Sequence, residues 1–382
     1  MTTFLARICA FKFFDAFILI FPLYVVMFAD AGLSPVQIGV CLTVWSATNF
    51  ALQIPSGVIA DRWSRRHVLA FAQSARAAGF IVWMLYPHFW GFLAGLVLWG
   101  VKSAFTSGTF EGLLYDELKA RDQATRYMRV IGQARAAQAV AVLAAAIGAA
   151  LAAPYGYPVC IAAGLASTGA AMAAALNLPP AQRALLTHGH EYLSDLRRGL
   201  PIAIGQPAVL SILVFSALVL AFGAALEEFW PIFGAKVGLA RPVIALFVGA
   251  QNAIEAMVSL VAWRVAFLDK GWFHALFALG GALLLSAAAL FTPPAMALLA
   301  LYSGLFKIID IVFEGRLQQL IPSNHRATIG SVKSLIAQIG LTGLYMSFGP
   351  IAQATSYRVA FAACGCSAIA IGLTTLAWPR RA

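Results

Sequence analysis

The chain has 382 residues, of which 61% are hydrophobic and only 11% charged, and its mean hydropathy is +0.84. About a quarter of an ordinary soluble domain is charged, so composition excludes a soluble globular protein and leaves a polytopic membrane protein. The formal net charge of +11 does not point to nucleic acid, because the basic residues form no patch interleaved with stacking aromatics.

A bilayer-crossing helix needs about 20 mostly apolar residues. The pattern predicts twelve spans, at roughly 4–28, 36–59, 68–86, 90–116, 130–153, 157–177, 208–234, 242–263, 272–291, 295–320, 329–353 and 357–378. Their length, about twice that of a membrane strand, excludes an outer-membrane barrel. Span 1 carries Arg7 and Lys12 ahead of its apolar stretch but runs on through Phe28 without a small-residue cleavage site, so it is read as retained. Asp15 lies near its middle, flanked by Phe11, Phe13, Phe14 and Phe17, which either line a pocket or face lipid. Span 2 contains Trp45 and Asn49, and span 3 contains Arg76. Trp83, Tyr86, Trp90 and Trp378 fit an interfacial belt. Span 4 holds Lys102, Ser103, Ser107, Glu111 and Tyr115; the last four recur every four residues and so share one face of a straight helix. Span 7 carries Glu227 and Glu228 beside Trp230-Pro231, and span 8 carries Asn252 and Glu255 one turn apart. In span 10, Ser303, Lys307, Asp310 and Glu314 form a polar stripe at spacings of four, three and four. The five cysteines all fall inside spans, and the Cys364/Cys366 spacing disfavours a disulfide or a metal site.

The basic residues follow topology. Arg62, Arg65 and Arg66 lie between spans 2 and 3, Lys119, Arg121, Arg126 and Arg129 between spans 4 and 5, and Arg183, Arg197 and Arg198 between spans 6 and 7. The opposite side carries only Lys236, Arg241 and Arg358 in its short connections. By the positive-inside rule both termini and the 178–207 loop face the cytoplasm of an inner (plasma) membrane.

That loop divides the spans six and six. The expected organisation is a bundle over 1–178, a linker over 179–207 and a second bundle over 208–382, with Tyr192, Leu193, Leu196 and Leu200 on one face of a short surface-lying helix. An internal repeat supports the division. A shift of 203 residues superposes Phe110-Glu111-Gly112 on Phe313-Glu314-Gly315 and Asn49 on Asn252. With slightly different offsets Phe21-Pro22 matches Trp230-Pro231, and Gly32-Leu33 matches Gly238-Leu239. Six spans per half give both halves the same orientation, a parallel repeat whose bundles can rock about a central cleft. This is the architecture expected of a transporter.

Between spans 2 and 3 stands GVIADRWSRRHVL, residues 57–69. It resembles the signature loop of the major facilitator superfamily, roughly G-x-L-A-D-R-x-G-R-K-x-x-L. Gly57, Asp61, Arg62, Arg65, Arg66 and Leu69 fit, and Ser64 stands where the family often has glycine. The resemblance implies an all-α fold of twelve transmembrane helices in two pseudo-symmetric bundles. It also implies a conformational latch, in which Asp61 contacts the start of span 11 and Arg65 pairs with Asp116 at the end of span 4; alternatively these charges only set topology. The matching loop of the second half, WRVAFLDKG, lacks the pattern, so one strong latch is expected.

Ionisable residues inside spans are functional candidates by default. Asp15 is the first choice for a protonatable or substrate-contacting acid, followed by Glu227, Glu228 and Glu255. Asp310, Glu111 and Glu314 form a further group, with the alternative that Lys307 and Asp310 neutralise each other and the two glutamates satisfy neighbouring groups. Lys102 either serves an anionic solute or, preferably, pairs with an acid; Arg76 is read as a brace. Asn49 and Asn252 either line a cavity or join helices. With no phosphate-binding loop, an ATP-driven pump is excluded, and without clustered histidines or a nucleophile with its base an enzyme is not expected. Neither a cofactor nor a metal is implied. The expectation is a monomeric proton-coupled secondary transporter of a small organic solute, with export slightly favoured although span 5 lacks the Gly-Pro pair of the family's drug exporters. Uptake of a polar or anionic metabolite or metal chelate, and lipid flipping, are the alternatives.

Overall fold

The computed structural model describes residues 2–179, 205, 207–320 and 326–377. Those residues form fifteen α-helices joined by short turns and 3-10 segments, with no strand among them. In chain order they are α1 (Thr2–Ala16), α2 (Tyr24–Asp30), α3 (Pro35–Arg62), α4 (Arg65–Leu85), α5 (Phe89–Thr106), α6 (Thr109–Ala120), α7 (Tyr127–Ala152) and α8 (Tyr157–Leu176). Then come α9 (Pro207–Glu227), α10 (Trp230–Lys236), α11 (Arg241–Val261), α12 (Lys270–Leu290), α13 (Met296–Leu320), α14 (Arg326–Ala354) and α15 (Tyr357–Ala377). Ten segments among the described residues are long and apolar enough to cross a membrane. In the order of the chain the first two spans correspond to the broken α1–α2 pair and to α3, whose 28 residues reach about 42 Å. The linker helix proposed around Tyr192–Leu200 lies outside the described residues.

Three predicted spans are not single helices. Span 1 stops at Ala16 and resumes at Tyr24, with three-residue backbone bonds such as Phe21 N–H to Ile18 O between. Pro22 supplies no N–H and disfavours helical geometry in the residue before it. Span 7 breaks between Glu227 and Trp230, just ahead of Pro231. Span 4 breaks at Gly108, whose φ of 73° is a left-handed conformation open to glycine at little cost. The stripe Ser103, Ser107, Glu111 and Tyr115 therefore does not run along one straight helix, and Tyr115 instead lies edge-on to Tyr127.

The repeat inferred from sequence has a structural counterpart inside the breaks. Both α2 and α10 are seven residues long, and each ends in a glycine, Gly32 or Gly238, with φ of 88°. In each, the following leucine N–H bonds back to a carbonyl five residues earlier, the six-to-one bond of a Schellman cap.

The chain divides into two compact units, one within Met1–Leu33, Val44–Glu191 and Arg241–Gly249, the other within Ser34–Thr43, Tyr192–Ala240 and Ala250–Ala382. This is not a single cut at the linker, because the first turns of α3 and α11 exchange. Close packing accounts for it. In unit 2, a Cβ on Gly39 of α3 would come within 2.6 Å of the Tyr345 carbonyl oxygen of α14, a backbone approach that only glycine permits. In unit 1, Arg241 at the start of α11 donates from Nη2 to Asp30 Oδ2 at 2.8 Å. The Tyr157 hydroxyl donates to the same oxygen at 2.5 Å, and the guanidinium lies over its ring.

Trp83 departs from its predicted place in an interfacial belt. It is buried, with Nε1–H donating to Phe92 O at 3.2 Å, and stacks on Tyr24. Tyr86 and Trp90 are exposed. Trp378 lies outside the described residues.

Candidate functional site

Unit 1 is organised around the end of α1. The break after Ala16 leaves the last carbonyls of the helix without intrahelical partners, and in an apolar environment each must be met by another group. Ser167 Oγ–H donates to Phe14 O at 2.9 Å, and Arg76 Nη1 donates to Asp15 O at 2.8 Å. Arg76 is thus a brace that caps a broken helix from α4. The Asp15 carboxylate closes the arrangement. Its Oδ1 receives Lys102 Nζ of α5 at 2.7 Å and Gln73 Nε2 at 2.8 Å, and lies 3.3 Å from Arg76 Nη2. Arg76 also donates to Gln73 Oε1 at 2.6 Å. One acid is bonded by two cations and an amide, so Asp15 is tied into the frame.

Next to this cluster is an open pocket of about 470 Å³. Three cations, Lys12, Lys102 and Arg135, line it, with Glu111 as the only acid. Ser103, Thr106, Ser107 and Gly108, at the break between α5 and α6, complete the lining. Lys12 lies over the Phe110 ring at 4.1 Å and 3.9 Å from Glu111. Phe110 stacks on Phe11 in the buried core of the unit, so the predicted aromatic lining of Phe11, Phe13, Phe14 and Phe17 does not reach this pocket. Arg135 is exposed on α7. Sequence reading passed it over, although an arginine five residues into span 5 was itself the signal.

In unit 2 the polar group is built differently. Glu227, at the end of α9, is hydrogen-bonded to Ser303 of α13, with Glu255, Glu228 and Lys307 within electrostatic reach. Ser303 also accepts from Trp230 Nε1 at 3.2 Å, fixing the hydroxyl. Glu255 accepts from Gln251 Nε2 at 3.2 Å. Glu227 thus has two further carboxylates, Glu228 and Glu255, against one lysine within electrostatic reach. Among the described residues no ion pair joins Lys307 and Asp310. Glu228 and Asn252 are each engaged. The Asn49 side-chain oxygen is buried with no hydrogen-bond partner.

The two Phe-Glu-Gly stretches have different surroundings. Glu314 pairs with Lys333 of α14 and accepts from Gln318 Nε2 at 2.9 Å, whereas Glu111 has Lys12 of α1. Gly112 lies against Arg65, where a Cβ would approach Nη1 to 2.4 Å, while Gly315 has nothing within 4 Å. Arg65 Nη1 forms an ion pair with Asp116 Oδ2 at 2.8 Å, so Gly112 makes room for that pair. Ser64 has φ of −67° at the start of α4, an ordinary conformation in which serine replaces glycine without strain. Gly57 has open space around it, Arg62 ends α3, and Arg66 is half-buried in the first turn of α4. The side chain of Asp61 and the segment before α14 lie outside the described residues, as does any contact between them.

The sequence profile of the Major Facilitator Superfamily matches residues 3–342. The chain belongs to this superfamily. It is a transporter rather than an enzyme, and an all-α protein of the superfamily fold. No curated protein matches it in sequence. Among solved structures, the nucleoside transporter NupG aligns with a TM-score of 0.77 at 14% identity, over 98% of each chain. The D-xylose–proton symporter aligns with a TM-score of 0.71 at 14% identity, over 98% of this chain and 96% of that one. A bacterial homologue of the human lysosomal transporter Spinster, inward-facing and occupied, gives 0.73 at 15% identity, over 98% and 94%. At these identities the superfamily members share the fold, and substrate must be argued from this chain's own residues.

Proposed function

We propose that this secondary transporter is driven by protons, with Glu227 as the coupling acid and Glu255 as its partner, and moves a small organic solute by alternating access. The observation that carries the reading is the excess of carboxylates, Glu228 and Glu255 against Lys307, within electrostatic reach of Glu227 in unit 2. Adding a proton there changes the charge of a half-buried group, and in surroundings less polar than water that change is energetically large. A conformational equilibrium that alters the group's access to water is therefore linked to proton binding. Asp15, first choice from sequence, is reassigned as a framework acid because its bonds to Lys102, Gln73 and Arg76 already occupy it.

The Arg65–Asp116 pair and its place in the signature loop support a latch role for Gly57, Asp61, Arg62, Arg65, Arg66 and Asp116. Glu314 and Lys333 serve as a bracing pair, whereas Glu111 keeps Lys12 at the pocket through a looser contact. The distribution of basic residues supports an inner-membrane location with cytoplasmic termini, and the transporter acts as a monomer. Export is the working direction. The cationic pocket of unit 1 favours one alternative, uptake of an anionic metabolite.

Reconstitution in proteoliposomes tests the coupling. Solute-evoked currents on a supported membrane, recorded with and without an imposed pH gradient, should depend on the gradient in the wild type and lose that dependence in Glu227→Gln. Currents indifferent to both would remove the proposal.

A further inference from the structure

We infer that the unit 1 pocket is a binding site for a small organic anion, its carboxylate or phosphate head held between Lys12 and Arg135. The inference rests on the transport reading only in taking the occupant to be a solute. Three features carry it. The lining has three cations against one acid, and the Asp15 cluster behind it adds one cation, Arg76, and one acid, leaving the excess unchanged. An uncompensated positive excess lining an open cleft raises the local concentration of anions. Second, the lining supplies the hydroxyls of Ser103 and Ser107, donors suited to carboxylate or phosphate oxygens. Thr106 bonds to Lys102 O at 2.8 Å, whereas Ser107 is exposed. Third, the volume of about 470 Å³ lies within the usual range of small-molecule sites, roughly 300–1,000 Å³.

The cations divide the work. Lys102 is committed to Asp15 at 2.7 Å and sets the field at the back wall. Lys12 is held over Phe110 at 4.1 Å and only loosely paired with Glu111 at 3.9 Å, so it can turn to a ligand without leaving a buried acid bare. Arg135 brings a planar fork of donors, the geometry that grips carboxylate and phosphate in two bonds.

A thiol probe tests the site without a known solute or a proton gradient. Ser107→Cys, in a chain whose native cysteines are replaced by alanine, places the probe in the lining. The labelling rate is then compared for a sulfonate-bearing and a trimethylammonium-bearing thiosulfonate reagent. The expected result is a preference of about tenfold for the anionic reagent, the effect of an excess positive charge or two at such range. The preference should fall to unity or reverse on adding Lys12→Gln and Arg135→Gln, and return with Arg135→Lys. Citrate and glucose 6-phosphate should slow labelling, whereas glucose should not. Equal rates for the two reagents, or a preference that survives loss of both cations, would overturn the inference, as would equal protection by glucose. Because labelling requires no coupling, these outcomes are separate from failure of the Glu227 proposal, which appears only as gradient-independent currents.

Discussion

The buried acids of the two units are treated in opposite ways. Asp15 is one carboxylate among two cations and an amide, its Oδ1 at 2.7 Å from Lys102 and 2.8 Å from Gln73. Glu227 has two other carboxylates and one lysine within electrostatic reach, and one hydroxyl partner, Ser303. A fully bonded buried charge specifies position, and removing its countercharge leaves the rest of the network uncompensated. A carboxyl group among other carboxyl groups has a protonation state that other events can alter. In a duplicated fold the same kind of residue has thus become framework in one half and a candidate moving part in the other.

The comparison breaks most sharply at Asp15. Asp15→Asn leaves Arg76 and Lys102 side by side without an acid, and should cost about 3–5 kcal/mol of stability, read as loss of thermal stability in detergent. A variant as stable as wild type would mean that the cluster is not framework. Glu227→Gln keeps the shape of the side chain and its hydrogen bond, so stability should change by less than about 1 kcal/mol while coupling to the pH gradient is lost. A large stability loss there would put both acids in one class.

Smaller effects come from the paired glycines. Gly315→Ala adds a methyl group in open space on α13 and should stabilise by about 0.5–1 kcal/mol through helix propensity. Gly112→Ala drives a methyl group into Arg65 and should forfeit that gain as the Arg65–Asp116 pair, whose side chains are 16% and 21% exposed, is displaced. Equal behaviour of the two substitutions would show that Gly112 makes no room for a latch.

The fold was legible in the sequence because span lengths, signature loop and repeat are all local patterns, and the Gly32 and Gly238 turns carry the repeat down to matching dihedral angles. The Arg65–Asp116 contact is the one that resemblance to the signature loop implied, and the pairing of Lys102 was readable because a lysine inside a span needs an acid. Partner identity was not. Whether Lys102 meets Asp15 or Glu111 depends on how α1, α5 and α6 pack, which no spacing within one helix reveals. The break at Gly108 was missed because a lone glycine in an apolar run reads equally well as a packing residue. Arg135 was lost among the basic residues near a span end, where topology alone accounts for positive charge.

The Gly108 break also gives α6 a mechanical meaning. Twelve residues from Thr109 to Ala120 make a rod of about 18 Å, with Asp116 roughly 10 Å from the joint. A rotation of about 10° there displaces Asp116 by nearly 2 Å, enough to part it from Arg65. The same rotation shifts Glu111, one turn from the joint, by well under 1 Å. If α6 turned as a rigid rod, small adjustments at Gly108 would be geared up toward the signature loop, where Asp116 meets Arg65.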